Sequence, residues 1–207
     1  MRLRVCYEKA GILIGFIPLI VYGILAGRSA ESVVFALGAA TAATIVAGFN
    51  DLRRGMVLTW ANLALFCSAF IAIGVLNETL LIPFMSVIIY GALAGVAFGS
   101  LLVQVPFTLQ YARGMVDRSL WENPYFLRVN VLMTGVWGGV FCVNLLLSIL
   151  ALLSPKGVGM LASPLSYLVL IAGILFTLWY PGHVRKKYAS RSAQEGRVDV
   201  IPAQKGT

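Results

Sequence analysis

Charged side chains are scarce in this sequence. Only 12% of its 207 residues are Asp, Glu, Lys or Arg, whereas 59% are hydrophobic; soluble domains carry about 25% charged residues. All eight acidic residues fall outside the long apolar stretches. Composition therefore excludes a water-soluble fold. A carboxylate proton relay within a membrane, which needs ionisable groups at depth, also has no candidate members.

Histidine and cysteine are nearly absent as well. The single histidine, His183, cannot supply bis-histidine haem ligation, and no further ligands cluster with it to form a zinc site. Cys6, Cys67 and Cys142 show no paired spacing, which argues against a disulfide framework. No Gly-x-Ser-x-Gly, His-Glu-x-x-His, Walker or dinucleotide-binding motif is present. The sequence predicts no catalytic residue, metal or cofactor, so we do not expect an enzyme.

What the sequence has in abundance is long apolar stretches, and there are six of them. A membrane-spanning helix needs about 20 mostly apolar residues, so the pattern predicts an all-α, polytopic membrane protein with six transmembrane helices. The first stretch is 17 residues long, above the roughly 7 to 15 of a signal-peptide core, and we expect it to be retained. The prediction is one six-helix domain over 1–187 and a polar tail over 188–207. The predicted spans are 11–27, 32–49, 57–76, 80–105, 129–153 and 163–180.

The basic residues fall mainly into alternate connections between these stretches. With six spans, 14 of the 16 Lys and Arg residues lie on one side, and only Arg28 and Lys156 lie on the other. Lys and Arg near span ends resist translocation, so we expect the basic side, with both termini, to be cytoplasmic. Contact with anionic lipid explains the net charge of +8 better than nucleic acid does, because no basic groove with aromatic residues is readable.

Small residues recur at four-residue spacing on several predicted helices. Such faces let helices approach closely in lipid, where packing drives association. The contact is either within this bundle or with a second copy or another membrane subunit. We expect helix packing or a partner interface at Ala36, Ala40, Thr44 and Gly48 in the second span, Gly91, Gly95 and Gly99 in the fourth, and Gly135 and Gly139 in the fifth.

The longest basic connection, 106–129, is the most distinctive stretch of the chain. It is too polar to span a membrane and too apolar to float free, so we expect it to lie at the cytoplasmic headgroup level. Pro106 should stop or kink the fourth helix, and Asn123 with Pro124 resembles a helix cap and first turn. Ser163 and Pro164 similarly suggest the start of the sixth helix. The residues predicted to form this cytoplasmic interfacial segment are Phe107, Gln110, Tyr111, Arg113, Arg118, Trp121 and Arg128.

A few amide side chains lie within or at the ends of spans, namely Asn62, Gln104, Asn130 and Asn144. Polar side chains at such positions usually hydrogen-bond between helices. Alternatively, they line a path for a neutral or lipid-like solute, which would make the protein a small transporter or channel.

Several short motifs resemble the intracellular septation protein A family, small inner-membrane proteins of bacteria. They are the alanine-rich second span, Pro106 after the fourth span and Trp137 in the fifth, together with Phe16, Ile17, Pro18 and Leu19, then Tyr90 to Gly95, then Arg128, Val129 and Asn130. The resemblance covers roughly residues 11 to 185. It implies a bacterial inner-membrane location and a scaffold role in envelope integrity and septation, without catalytic residues. We therefore expect a scaffold or accessory subunit that acts through helix and loop contacts.

Overall fold

The computed structural model describes residues 14–27, 29–154, 156 and 158–194, and all regular secondary structure in these residues is helical. A π-helical turn, Ile71–Val75, extends α4, and 3₁₀ segments occupy Thr79–Phe84 and Arg118–Leu120. The helices are α1 (Ile17–Leu25), α2 (Ala30–Ala47), α3 (Phe49–Arg53), α4 (Val57–Phe70), α5 (Met85–Leu102), α6 (Phe107–Arg113), α7 (Pro124–Leu153) and α8 (Val158–Gln194).

Five segments of the described chain are long and apolar enough to cross a membrane: Ala30–Ala47, Val57–Val75, Thr79–Leu102, Pro124–Leu153 and Gly159–Val184. The protein is therefore all-α in its described residues, with the character of a multi-pass membrane protein. The predicted first span, 11–27, begins outside the described residues, and its described helix, α1, has nine residues. A crossing by this first span, and with it the total of six, stays a prediction, as does the side of each terminus.

An aromatic cluster joins α1, α7 and α8. Trp137 on α7 is 1% exposed, and its ring stacks on Phe16 at a centroid distance of 4.0 Å. Phe141, one turn along α7, lies 5.6 Å from the same indole. The indole Nε1–H donates to Thr177 Oγ1 on α8 at 3.0 Å, and that hydroxyl donates to Gly173 O. The buried polar atom of the indole is thus satisfied within the core.

Helix α7 packs between α5 and α8 through glycines. A Cβ added at Gly138 would lie 3.0 Å from the Phe98 ring of α5, and one at Gly173 of α8 would lie 3.2 Å from Val140. Gly91 of α5 approaches Leu145 of α7. The pairs 98 with 138 and 91 with 145 run in opposite directions, so α5 and α7 are antiparallel.

Both ends of the helix at the sixth span differ from the sequence prediction. The structure has one helix from Val158 to Gln194 with Pro164 and Pro181 inside it, so the predicted cap at Ser163 and the predicted end near Tyr180 are wrong. A proline removes one backbone donor and bends a helix, but neighbouring groups in a membrane protein can accommodate the freed carbonyl. The helix also runs past residue 187, where the tail was predicted to begin; residues 195–207 lie outside the described chain.

The connection after the fourth span also begins earlier than predicted. Helix α5 ends at Leu102, because Gln104 adopts a φ of +59° and Val105 N donates back to Ser100 O. A left-handed residue followed by a backbone hydrogen bond that reaches back across the last helical turn is a Schellman ending. Pro106 follows it. At the other end of the connection, Asn123 Oδ1 accepts from Tyr125 N at 2.9 Å. The predicted cap at Asn123 and Pro124 is confirmed, which places Arg128 on α7 itself.

Adjacent glycines of α7 should respond very differently to the same substitution. We expect Gly138→Leu to lower the free energy of unfolding by about 1–3 kcal/mol, because the added side chain would overlap the Phe98 ring. Gly139→Leu is the matched control, since a Cβ there meets nothing within 4 Å. Chemical denaturation in mild detergent, followed by helical circular dichroism, measures both; equal losses would contradict this packing.

Candidate functional site

The segment predicted to lie at the headgroup level is packed against the bundle at its start, where residues 107–109 and 111 are buried, and is exposed at residues 117–119. Phe107 on α6 is fully buried at 0% exposure, and Tyr111 is 5% exposed. Helix α6 lies against α7 and against the turn that joins α3 to α4. We call the end of the bundle that carries this segment the basic end, because Arg53, Arg54 and Arg118 are exposed there.

A threonine pair fixes α6 to α7. The hydroxyls of Thr108 and Thr134 are 2.8 Å apart, and Thr108 Oγ1 donates to Asn130 O at 2.9 Å. The N–H of Phe107, at the start of α6, donates to Ser100 Oγ at 3.1 Å. Sequence reasoning did not select Thr108, whose hydroxyl was indistinguishable from those of exposed loop threonines.

Two side chains of α6 also hold the start of α4. Gln110 Oε1 accepts from Val57 N at 2.9 Å, so it satisfies one of the backbone donors that the first turn of a helix leaves without an internal partner. Tyr111 Oη lies 3.0 Å from Thr59 Oγ1, and both residues are buried. Of the predicted interfacial residues, Phe107, Gln110 and Tyr111 are therefore structural links.

Three more of the predicted residues, Arg113, Arg118 and Trp121, form an arginine and tryptophan cluster. Trp121 Nε1–H donates to Arg113 O at 3.2 Å. The guanidinium carbons of Arg113 and Arg118 lie 5.2 Å and 5.6 Å from the indole, within range of a cation–π attraction. Arg118 is exposed and presents its charge at the basic end. Arg128 is exposed on α7, outside this cluster.

Asp51 of α3 is the buried carboxylate of this end, at 3% exposure. The other described acids, Glu31, Glu78, Asp117 and Glu122, are all exposed. In the sequence Asp51 lies between two apolar stretches, and no role was predicted for it. No pattern in the sequence predicts its burial.

Three of the four amides of the suggested polar path donate to separate backbone carbonyls, and the fourth, Gln104, is exposed. Asn62 Nδ2 donates to Gly15 O at 2.7 Å, next to the start of α1. Asn130 Nδ2 and Asn144 Nδ2 donate to carbonyls one turn back on their own helix, at 2.9 Å and 2.8 Å. Gln104 is exposed at the Schellman turn. Asn62 and Asn144 are buried with their Oδ1 atoms unpaired among the described residues.

The small residues of α2 face other helices of the chain. Ala36, Ala40 and Thr44 have 0% exposure, and Thr44 Oγ1 donates to Ala40 O. A Cβ at Gly48 would lie 2.6 Å from Thr59 Cγ2 of α4. This stripe is a close contact between α2 and its neighbours.

The glycines of α5 and α7 behave differently. A Cβ added at Gly95, Gly99, Gly135 or Gly139 would meet nothing within 4 Å, and one at Gly91 would meet Leu145 alone, at 3.9 Å. We call Gly95, Gly99, Gly135 and Gly139 the glycine surface. In the described chain this surface is open.

The described residues contain no group of three or more His, Cys, Asp and Glu that could hold a metal ion. No protein-family model, curated protein or solved structure matches this chain.

Removing the acceptor at Gln110 should loosen the basic end. We expect Gln110→Ala to cost roughly 0.5–2 kcal/mol, the usual effect of losing a side chain that caps a helix start, and to expose the connection around Arg113 and Arg118. Gln110→Glu keeps an acceptor oxygen and should restore protection. Limited trypsin digestion of inverted vesicles reads out cleavage at these arginines. Unchanged digestion of Gln110→Ala would contradict the capping role.

Proposed function

We propose that this chain is a six-helix scaffold or accessory subunit of the bacterial inner membrane, with both termini cytoplasmic. It binds a transmembrane helix of a second copy or another subunit through the glycine surface. The main support is that, among the described residues, a Cβ added at any of the four glycines would meet nothing within 4 Å. The resemblance to the intracellular septation protein A family supports a role in envelope integrity and septation.

The four glycines form one surface because of how α5 and α7 pair. Phe98 of α5 touches Gly138 of α7. On α5, Gly95 and Gly99 lie three positions before and one after Phe98; on α7, Gly135 and Gly139 stand in the same relation to Gly138. At 3.6 residues per turn, both pairs are rotated by the same angle from the contact. Since the helices are antiparallel, that rotation brings both pairs to one side of the helix pair.

A glycine surface without a contact is costly for the chain that carries it. Glycine within a helix is about 1 kcal/mol less favourable than alanine, and these four gain no packing inside the described chain. In lipid, small residues are enriched where the backbones of two helices approach, because van der Waals packing replaces the hydrophobic effect. A companion helix supplies the missing contact.

The basic end gives this scaffold a fixed cytoplasmic face. Helix α6 is hydrogen-bonded to α7 through Thr108 and to α4 through Gln110. The segment that carries the exposed Arg118 is therefore fixed to the bundle at its start. Each Lys or Arg near an anionic leaflet contributes roughly 1 kcal/mol of attraction. Anionic lipid therefore keeps the basic end at the cytoplasmic surface of the membrane, where other proteins can contact it.

The transporter alternative receives less support from the same residues. The side-chain donors of Asn62, Asn130 and Asn144 are engaged by backbone carbonyls. The large groove between α2 and α4 has none of the four path residues in its lining.

Substitutions on the glycine surface should weaken association without unfolding the chain. We expect Gly95→Leu and Gly139→Leu to raise the dissociation constant for the companion roughly tenfold, equivalent to about 1.4 kcal/mol of lost packing. Ala172→Leu, at an exposed site on α8, should have no effect.

Two measurements test this. Crosslinking in native membranes with identification of the attached proteins finds the companion, and fluorescence energy transfer between labelled copies in liposomes measures self-association. A wild-type chain that is monomeric and uncrosslinked in both would overturn the proposal.

A further inference from the structure

An open groove of about 710 Å³ runs along the outside of the bundle between α2 and the end of α4. On α2 it follows one face from Ala30 through Val34 and Gly38 to Ala42. The opposite wall is built by Phe70, Gly74 and their neighbours. It belongs to the end of the bundle opposite the basic end.

The floor of the groove is closed by tight contacts between the two helices. A Cβ at Gly38 would lie 3.2 Å from the Phe70 ring, and one at Gly74 would lie 3.1 Å from Val34 Cγ1. Gly74 lies in the π-helical turn Ile71–Val75, and single π turns within α-helices often mark functional sites. The groove therefore opens outward, to lipid, along fixed walls.

The length of the groove fits one leaflet. The α2 wall, Ala30 to Ala42, is about 18 Å long at the rise of an α-helix, whereas half of the hydrocarbon core is about 15 Å. A companion helix that crossed the membrane would use the full core of about 30 Å. The length of the groove instead matches a single acyl chain within one leaflet.

The polar lining is concentrated at one end. Glu31, Asn77 and Thr79 lie there, while the rest of the lining is apolar. Glu31 is exposed in the first turn of α2, and Glu78, also exposed, is at the same end of the bundle. An apolar channel that ends in a carboxylate matches an amphiphile with a positive group in its head.

We propose that this groove binds one acyl chain of a phospholipid whose headgroup carries a primary amine, with the ammonium paired to Glu31. Thr79 and Asn77 offer hydrogen-bond donors to the phosphate of the same headgroup. The site is selective by charge: a headgroup with a phosphate and no amine brings only negative charge to Glu31. This binding is independent of the glycine surface, which lies on α5 and α7.

Headgroup competition tests the charge half of the proposal. The purified chain is exchanged into an equimolar mixture of phosphatidylethanolamine and phosphatidylglycerol with identical acyl chains, and retained lipid is counted by native mass spectrometry. We expect the wild type to retain the amine lipid preferentially, and Glu31→Gln to lower this preference roughly threefold, in the range of an exposed ion pair. Glu78→Gln, a matched loss of charge beside the groove, should leave it unchanged.

Equal retention of the two lipids by the wild type would overturn the charge assignment. Equal effects of Glu31→Gln and Glu78→Gln would also overturn it, because they would show a general surface charge effect. An unchanged lipid preference in Glu31→Gln would also overturn it. That is the result expected if Glu31 pairs with Arg28, which lies outside the described residues.

Filling the groove tests the acyl-chain half. Ala39→Trp places an indole in the lining and should abolish the retained lipid, whereas Ala172→Trp on α8 should not; circular dichroism checks that both variants keep their helices. A photoreactive residue at position 39 should acquire the mass of a phospholipid in native membranes. A protein adduct at that position, or retained lipid in Ala39→Trp, would overturn the proposal.

Discussion

Three helices of this bundle meet at the indole of Trp137. Its face stacks on Phe16 ahead of α1, its ring nitrogen bonds Thr177 of α8, and it projects from α7. In water such a cluster would be held largely by the removal of apolar surface from solvent. In lipid that force is absent between helices, and shape fit and polar contacts must replace it. The glycines at 138 and 173 follow from this constraint, because they let Phe98 of α5 approach the backbone of α7 and Val140 of α7 approach the backbone of α8.

The same constraint governs the ends of the helices. A backbone donor or acceptor left open in hydrocarbon costs several kcal/mol, and the chain closes many of its ends locally. Ser29 caps α2 and Asn123 caps α7, while Gln104 ends α5 in a left-handed turn. The start of α4 is closed differently, by Gln110 from a distant segment. This bond ties the order of α4 to the docking of α6, so the basic end forms as a unit.

Hydropathy was sufficient to predict the membrane class and most spans, because long apolar runs leave few other folds. The cap at Asn123 was also readable, since a polar acceptor before proline has a local mechanism. The route through Pro164 and Pro181 was not, because proline weakens a helix locally while its surroundings decide whether the helix ends. The burial of Thr108 depends on how α6 docks on α7, and only the tertiary structure determines that.

The glycines show the limit of the sequence most directly. Gly138 and Gly139 are neighbours in one apolar run, yet the first is pressed against Phe98 and the second faces open space. A helix in lipid has no polar face to distinguish inside from outside, so spacing alone cannot assign the two roles. The rotation of α7 about its own axis decides between them, and the stack of Trp137 on Phe16 sets that rotation.

Helix α8 is longer than the membrane it crosses. Its 37 residues extend about 55 Å at the rise of an α-helix, whereas the hydrocarbon core is about 30 Å thick. The apolar part ends at Val184, and ten more helical residues continue to Gln194, a projection of about 15 Å. Because this stalk belongs to the same helix as Thr177, which accepts from Trp137, a displacement of its tip must either bend α8 near Pro181 or shift Thr177 in the core.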